Sequence, residues 1–224
     1  MEKRYERNIP SITEAEQEQL KNKKVAILGC GGLGGYLCEF CARLGIGSII
    51  VCDGDVFEES NLNRQILSTE GNLGTLKAEA AKAYIECTNP DCQVEMICQP
   101  FSEENAAFLK DCDVILDALD SASARLQLED AAEKYSIPLV HGAVNGWSGQ
   151  VCLVQPKSRT LHRIYQNAAL PNNKTVLPFT AGACACMEMS LALKVLTGKN
   201  DADDEALLIF DLFSGQSEKI FMEE

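Results

Sequence analysis

The stretch VAILGCGGLGGY, Val25 to Tyr36, constrains this chain more than any other. Four apolar residues, Val25 to Leu28, read as a buried strand that enters a glycine-rich turn directly. Gly29, Gly31 and Gly34 fit G-x-G-x-x-G between a strand and a helix. That pattern serves a tight turn, a close approach of backbone to phosphate, and a helix N-terminus whose N–H groups favour an anion. Leu33, Leu37, Cys41 and Leu44 recur on one face of the helix that follows. Asp53 lies at the end of a second apolar run, SIIVCD, where a carboxylate can accept bonds from ribose hydroxyls. Taken alone, these features favour a dinucleotide.

The rest of the chain alternates in the manner of βαβ units. Thr13 with Glu16 has capping-box spacing and predicts a short helix to about Asn22. A helix is predicted over Thr75 to Cys87, a strand in QVEMICQPF, a buried strand in DVILDAL and an amphipathic helix in ARLQLEDAAEKY. IPLVHGAV and GQVCLVQP read as two further strands, the second turning back. Residues 156–178 carry no strong pattern and read as a long loop crossing a surface or covering a site. A helix of small residues over Gly182 to Leu196 and a hairpin from ALLIFDLFSG and SEKIFM close the chain. The expected fold is α/β: a Rossmann-like, doubly wound, mainly parallel sheet with an antiparallel C-terminal extension. The expected organisation is one domain over 1–224. It comprises an N-terminal arm and helix (1–22), a nucleotide-binding core (23–155), a crossover loop (156–180), and a helix and hairpin for partner docking (181–224).

Composition narrows the function. A net charge of −13 disfavours nucleic acid as a partner. No signal-peptide core opens the sequence and no apolar run of about 18 residues stands out, so no membrane association and a cytoplasmic location are expected. The 11 cysteines are spread through apolar runs, as small buried hydrophobes of a reduced protein. Cys38 and Cys41 make a single C-x-x-C, with no second pair to complete a zinc site.

DGDVFEESNLNRQ, after the second strand, carries Asn61, Arg64 and Gln65, and Lys77 follows in GNLGTLKAEAA. An NAD site has no need of these cations. A triphosphate does, because charge must be neutralised on both the transferred and the leaving groups.

With these pieces assembled, the sequence resembles the ThiF/MoeB/HesA group, bacterial relatives of ubiquitin-activating enzymes. The resemblance rests on RYER (4–7), GCGGLGGY (29–36), CDGDVFEESNLNRQIL (52–67), GTLKAEAA (74–81), NPDCQVE (89–95), DVILDALDSASAR (113–125), PLVHGAVNGWSGQV (138–151) and a helix ending in LKVLTGK. It implies a homodimeric enzyme that binds ATP with Mg2+. Its substrate would be a ubiquitin-like sulfur-carrier protein ending in Gly-Gly, whose C-terminal glycine carboxylate is adenylated with release of pyrophosphate. By the same resemblance Asp53 holds the ribose, Asn61, Arg64 and Lys77 contact the phosphates, and Asp120 coordinates magnesium. Arg7 of the partner subunit enters the site as a cationic finger. Gly29, Gly31, Gly32, Gly34, Asp55, Ser60 and Ser121 complete the implied nucleotide site. A carboxylate is already a nucleophile near neutral pH, so this chemistry requires positioning and charge stabilisation rather than a general base. His141 and His162, the two histidines, read as structural.

The sequence departs from the family pattern in three places. Where many relatives carry two C-x-x-C pairs for zinc, PKSRTLHRIYQ and KIFMEE have no cysteine, so no zinc site is expected. The loop NNKTVLPFTAG lacks the cysteine with which some relatives form a thioester or persulfide. Cys184 and Cys186 follow within the helix and read as packing residues, with sulfur transfer an open alternative. Ser121 replaces the usual asparagine after the metal-binding aspartate. The alternatives are the same fold activating a peptide C-terminus or a tRNA base, and an NAD-dependent oxidoreductase.

Overall fold

The apolar runs do form a parallel sheet. The computed structural model describes residues 2–166 and 175–222. Residues 167–174, inside the expected crossover loop, lie outside the described ones. Five strands, β1 (Lys24–Leu28), β2 (Ser48–Cys52), β3 (Gln93–Ile97), β4 (Val114–Asp117) and β5 (Leu139–Asn145), pair in parallel. β6 (Ser148–Val154), β7 (Leu207–Asp211) and β8 (Gln216–Ile220) continue the sheet antiparallel, in the order β3-β2-β1-β4-β5-β6-β7-β8.

Strands buried on both faces explain the continuous apolar runs. Val25 and Ile27 of β1 face one layer, built from α2 (Gly34–Leu44), α3 (Lys77–Thr88) and α6 (Pro178–Thr197). Ala26 and Leu28 face the other, built from α4 (Ala122–Tyr135) and α5 (Thr160–Tyr165). The period of two along β1 thus distributes one strand between two cores. The N-terminal helix α1 (Glu14–Leu20) begins as the sequence predicts: Thr13 Oγ1 accepts the Glu16 N–H, and Glu16 accepts the Thr13 N–H.

Two expectations need correction. The stretch read as loop contains α5, whose Leu161 and Tyr165 are buried. Its first N–H groups are capped by Glu129 of α4, which accepts from Leu161 at 2.8 Å and His162 at 3.0 Å. A cap supplied from 32 residues away leaves no local signature. The following helix starts at Pro178 rather than Gly182, because proline is suited to a first helical turn. By length and mean hydropathy (1.4 over a window) α6 is apolar enough to cross a membrane. Here its buried face, including Ala181, Cys184, Ala185 and Met189, packs into the protein core.

Gly34 is needed for closure of the strand–turn–helix unit. A Cβ built there lies 1.8 Å from the Gly29 carbonyl oxygen, a backbone atom that cannot swing away. Gly34→Ala is expected to cost about 3 kcal/mol or more. Urea unfolding measures this, and an unchanged midpoint would contradict the packing.

Candidate active site

In a doubly wound sheet, connections leave neighbouring strands in opposite directions at a switch point, opening a crevice at their C-terminal ends. Here that point falls between β1 and β4. A cavity of about 600 Å3 lies there. The turn Gly29–Gly32, the segment after β2, Arg64, Lys77, the β4–α4 connection and Gly142–Val144 of β5 all reach its wall.

The turn is shaped by contacts between strand ends. Gly29 adopts φ +94°, and a Cβ on it would lie 2.6 Å from the Ala118 carbonyl oxygen. Its own N–H donates to Cys52 O at 2.8 Å. Glycine is therefore required on both conformational and steric grounds.

Asp53 follows β2 into the cavity. One carboxylate oxygen accepts the Cys30 N–H at 2.7 Å and the other accepts the Asp55 N–H at 2.8 Å. Burial pushes its pKa above the ordinary carboxylate value, while these N–H donors and the nearby Lys77 charge pull it down. Both oxygens keep acceptor capacity beyond one bond each.

The cations are held from below. Lys77, 7% exposed at the start of α3, places its ammonium 3.0 Å from Asp55. Arg64 donates from Nη1 to Ser60 O and to Asn63 Oδ1, both at 2.9 Å. Across the cavity, Asp120 is exposed at the end of the β4 connection. Ser121 caps α4, its Oγ accepting the Ala124 N–H at 3.3 Å. The fourteen-residue α4 therefore directs its positive end to the same cavity.

The structure thus brings Gly29, Gly31, Gly32, Asp53, Asp55, Arg64, Lys77, Asp120 and Ser121 together. Four residues from the sequence reading lie elsewhere. Gly34 sits behind the turn as the packing residue described above. Ser60 supplies a backbone acceptor to Arg64 from outside the wall. Asn61 is 7% exposed and its side-chain oxygen accepts the Glu58 N–H at 3.0 Å, so its amide organises the loop that carries Arg64. Arg7 is exposed on a 3-10 helix, Lys3–Asn8, away from this chain's cavity. That arm is anchored: Tyr5 is buried, and its hydroxyl oxygen accepts from Asn89 at 3.2 Å.

Two further cavity residues, one noted in the sequence beside Arg64 and one not, were given no role there. Gln65 is buried with Oε1 unpartnered. Arg125 is 6% exposed on the inner face of α4. Its position eight residues after Asp117 was a signal only in retrospect, since it reads as one charge of an amphipathic helix. His141 is wholly buried and hydrogen-bonded to Asp117 at 2.7 Å, with burial lowering its basicity. His162 pairs with Glu129 at 2.5 Å on the α4–α5 contact. Cys184 is buried against the Ala143 and Gln150 carbonyl oxygens, and burial raises its thiol well above the usual range, which suits packing rather than sulfur transfer. Cys186 is exposed and outside the cavity wall. Cys38 and Cys41 are both buried in the core.

Comparison with known proteins decides the family: the ThiF family matches residues 5–224. The chain belongs to the ThiF family. It is 32% identical to the SAMP-activating enzyme E1 of Haloferax volcanii, over 93% of this chain and 80% of that protein. It is 34% identical to the molybdopterin-synthase adenylyltransferase of Haemophilus influenzae, over 95% and 91%. It also matches the adenylyltransferase and sulfurtransferase MOCS3 of Drosophila yakuba, at 33% identity, but spans only 49% of that protein. Among solved structures, Escherichia coli MccB crystallised with ATP aligns with a TM-score of 0.86 at 19% identity, over all of this chain and 72% of that one. That likeness concerns the fold. As a ThiF-family member with these relatives, the protein is an adenylyltransferase of the ubiquitin-activating-enzyme-like class.

Proposed function

We propose that this ThiF-family enzyme uses ATP to adenylate the C-terminal glycine carboxylate of a ubiquitin-like sulfur-carrier protein ending in Gly-Gly, releasing pyrophosphate. The observation that carries this reading is the convergence of Arg64, Lys77 and Asp120 on the glycine-turn cavity. A dinucleotide oxidoreductase would account for Gly29 to Asp53 and leave all three without a task.

Each group has a role fitted to its chemistry. Asp53 accepts from the ribose hydroxyls and stays oriented by the Cys30 and Asp55 N–H groups. Arg64 and Lys77 offset phosphate charge, and the buried position of Lys77 strengthens that interaction. Asp55 holds the Lys77 ammonium in place. Asp120 would hold Mg2+. A single exposed carboxylate fits an ion that retains waters and takes phosphate oxygens as its other ligands. When bound, the ion neutralises phosphate charge. Within a homodimer, Arg7 on its anchored arm would complete the neighbouring subunit's cavity.

The carrier would dock on the C-terminal helix and hairpin. Phe179 of that helix and Phe213 of that hairpin form an exposed aromatic cluster with Trp147 of the β5–β6 turn, their ring centroids 5.0 and 5.6 Å from that of Trp147. The enzyme stops at the acyl-adenylate, and sulfur arrives from another protein. Its 11 free cysteines are in keeping with a reducing cytoplasm.

ATP–pyrophosphate exchange tests the reading, with Gly-Gly-ended carrier proteins of the same organism as substrates. Exchange that depends on a carrier is expected, and deletion of the carrier's terminal glycine abolishes it. Calorimetry showing NAD binding without Mg-ATP binding would overturn the reading.

A further inference from the structure

A second hollow, about 420 Å3, adjoins the nucleotide cavity. The two share Asp120, Arg125, Ala143 and Val144 as a common wall. Arg125 is the buried cation on that wall among the described residues, and a chain of bonds fixes its guanidinium. Nη2 donates to Leu119 O at 2.6 Å and Nη1 donates to the Tyr165 hydroxyl oxygen at 3.1 Å. The Tyr165 ring lies beneath, 5.1 Å from the guanidinium carbon.

The direction of every proton in this chain follows from its carboxylate end. Asp117 accepts from His141 Nδ1 at 2.7 Å, so His141 Nε2 is left as an acceptor. Two donors reach that nitrogen, the Tyr165 hydroxyl at 2.9 Å and Gln150 Nε2 at 3.2 Å, and the shorter contact assigns its lone pair to Tyr165. The Tyr165 oxygen then accepts from Gln150 at 2.7 Å and from Arg125. Tyr165 has no donor left for a substrate, whereas Nη1 and Nη2 of Arg125 each carry a second N–H that these bonds do not use. Arg125 Nε has no hydrogen-bond partner and faces Asp117 Oδ2 at 3.6 Å.

We propose that the second hollow receives the acyl end of the substrate and that Arg125 binds the carboxylate oxygen that does not attack phosphorus. This rests on the adenylation reading. The other oxygen forms a bond to the α-phosphorus, and the bond from that phosphorus to the bridging oxygen of the leaving group breaks. Pyrophosphate departs with the electron pair, and no proton moves. The oxygen on Arg125 becomes the carbonyl oxygen of the mixed anhydride and keeps its donors throughout.

Such a group is needed because carboxylate and triphosphate repel each other. A cation in a poorly hydrated wall between them offsets that repulsion more than an exposed one does. Arginine suits the position because it remains charged when buried, and its planar fork can serve the protein and a carboxylate at once. Asp117, His141, Tyr165 and Gln150 act through Arg125 as positioning residues. The walls of the hollow, Asn145, Ser148 and Gln150 beside Ala122, Gly149 and Ile209, offer polar groups and space for an extended chain end.

The probes are two nonhydrolysable adenosines: sulfamoyladenosine, and its glycylglycyl derivative, which mimics the acyl-adenylate. Calorimetry on wild-type protein is expected to show tighter binding of the glycylglycyl compound. Arg125→Gln is expected to remove about 10-fold to 100-fold of that preference, with sulfamoyladenosine itself bound as by wild type, within about twofold. Arg125→Lys, which keeps the charge, is expected to restore part of it. Tyr165→Phe, which releases one anchor, is expected to lower the preference in the same direction. Retention of the full preference in Arg125→Gln, or equal loss of both compounds, would overturn the assignment. If Arg125→Gln does not fold, full preference in both Arg125→Lys and Tyr165→Phe overturns it equally. Wild-type protein that binds neither compound would instead defeat the adenylation reading itself.

Discussion

Equal mixing of Arg7→Ala and Asp120→Ala proteins is expected to restore about a quarter of wild-type ATP–pyrophosphate exchange, although each variant alone falls by about 100-fold or more. The single losses follow from removing, in Arg7→Ala, a cation aimed at the phosphates and, in Asp120→Ala, the carboxylate that would hold Mg2+. Asp120 stands on the cavity wall, while Arg7 is exposed on an arm anchored by Tyr5 and outside its own chain's cavity. In the proposed homodimer each site takes its cavity from one subunit and Arg7 from the other. Random subunit exchange makes about half of the dimers mixed. In a mixed dimer one site has both residues and the other has neither, so about a quarter of all sites are whole. No recovery after verified subunit exchange would show that Arg7 does not act across a dimer.

Glu188→Gln is expected to stabilise the protein by an amount that grows with pH. Glu188, on α6, is wholly buried, and neither carboxyl oxygen has a hydrogen-bond partner. It packs directly on Gly142, where a Cβ would lie 2.3 Å from Oε2. Burial raises its pKa well above the ordinary 4.5, the Asp117 charge raises it further, and Arg125 opposes both. Cys41, Cys152 and Cys184, also packed near it, are thiols whose own ionisation burial suppresses. The folded state therefore keeps a proton that the unfolded chain releases. The contribution of this group to stability is complete below the unfolded pKa and is lost as pH rises towards the folded one. The loss is about 1.4 kcal/mol for each pH unit between the two values. Glutamine has no such proton to lose. Thermal unfolding from pH 5.5 to 8.5 should show the two proteins diverging, by about 2–4 °C for each kcal/mol. Parallel curves would mean that Glu188 titrates normally.

What could be read in advance was set by short-range constraints. The Thr13–Glu16 capping box is visible because its donors and acceptors are three residues apart. The strand–turn–helix unit is visible because Gly29 and Gly34 meet steric demands that few residues satisfy. Arg64, Lys77 and Asp120 were found through their family context, and the fold brings them to one cavity. The local role of Asn61 was not legible because a polar side chain in a loop can face a ligand or its own backbone equally well, and here its side-chain oxygen accepts the Glu58 N–H. Helix α5 escaped notice because its cap, Glu129, belongs to another helix.

From Val25 to Asp53 the order of residues was enough to specify a strand, a tight glycine turn and a carboxylate at the end of the next strand, since each depends on local backbone geometry and spacing. Tertiary structure alone decided which charges would be buried. Arg125 and Glu188 sit on helices whose sequences look ordinary, yet the packing of α4 and α6 against the sheet buries one on the cavity wall and the other against Gly142 behind it. Charge burial depends on what surrounds a side chain from distant parts of the chain, and that surrounding exists only once the layers have assembled.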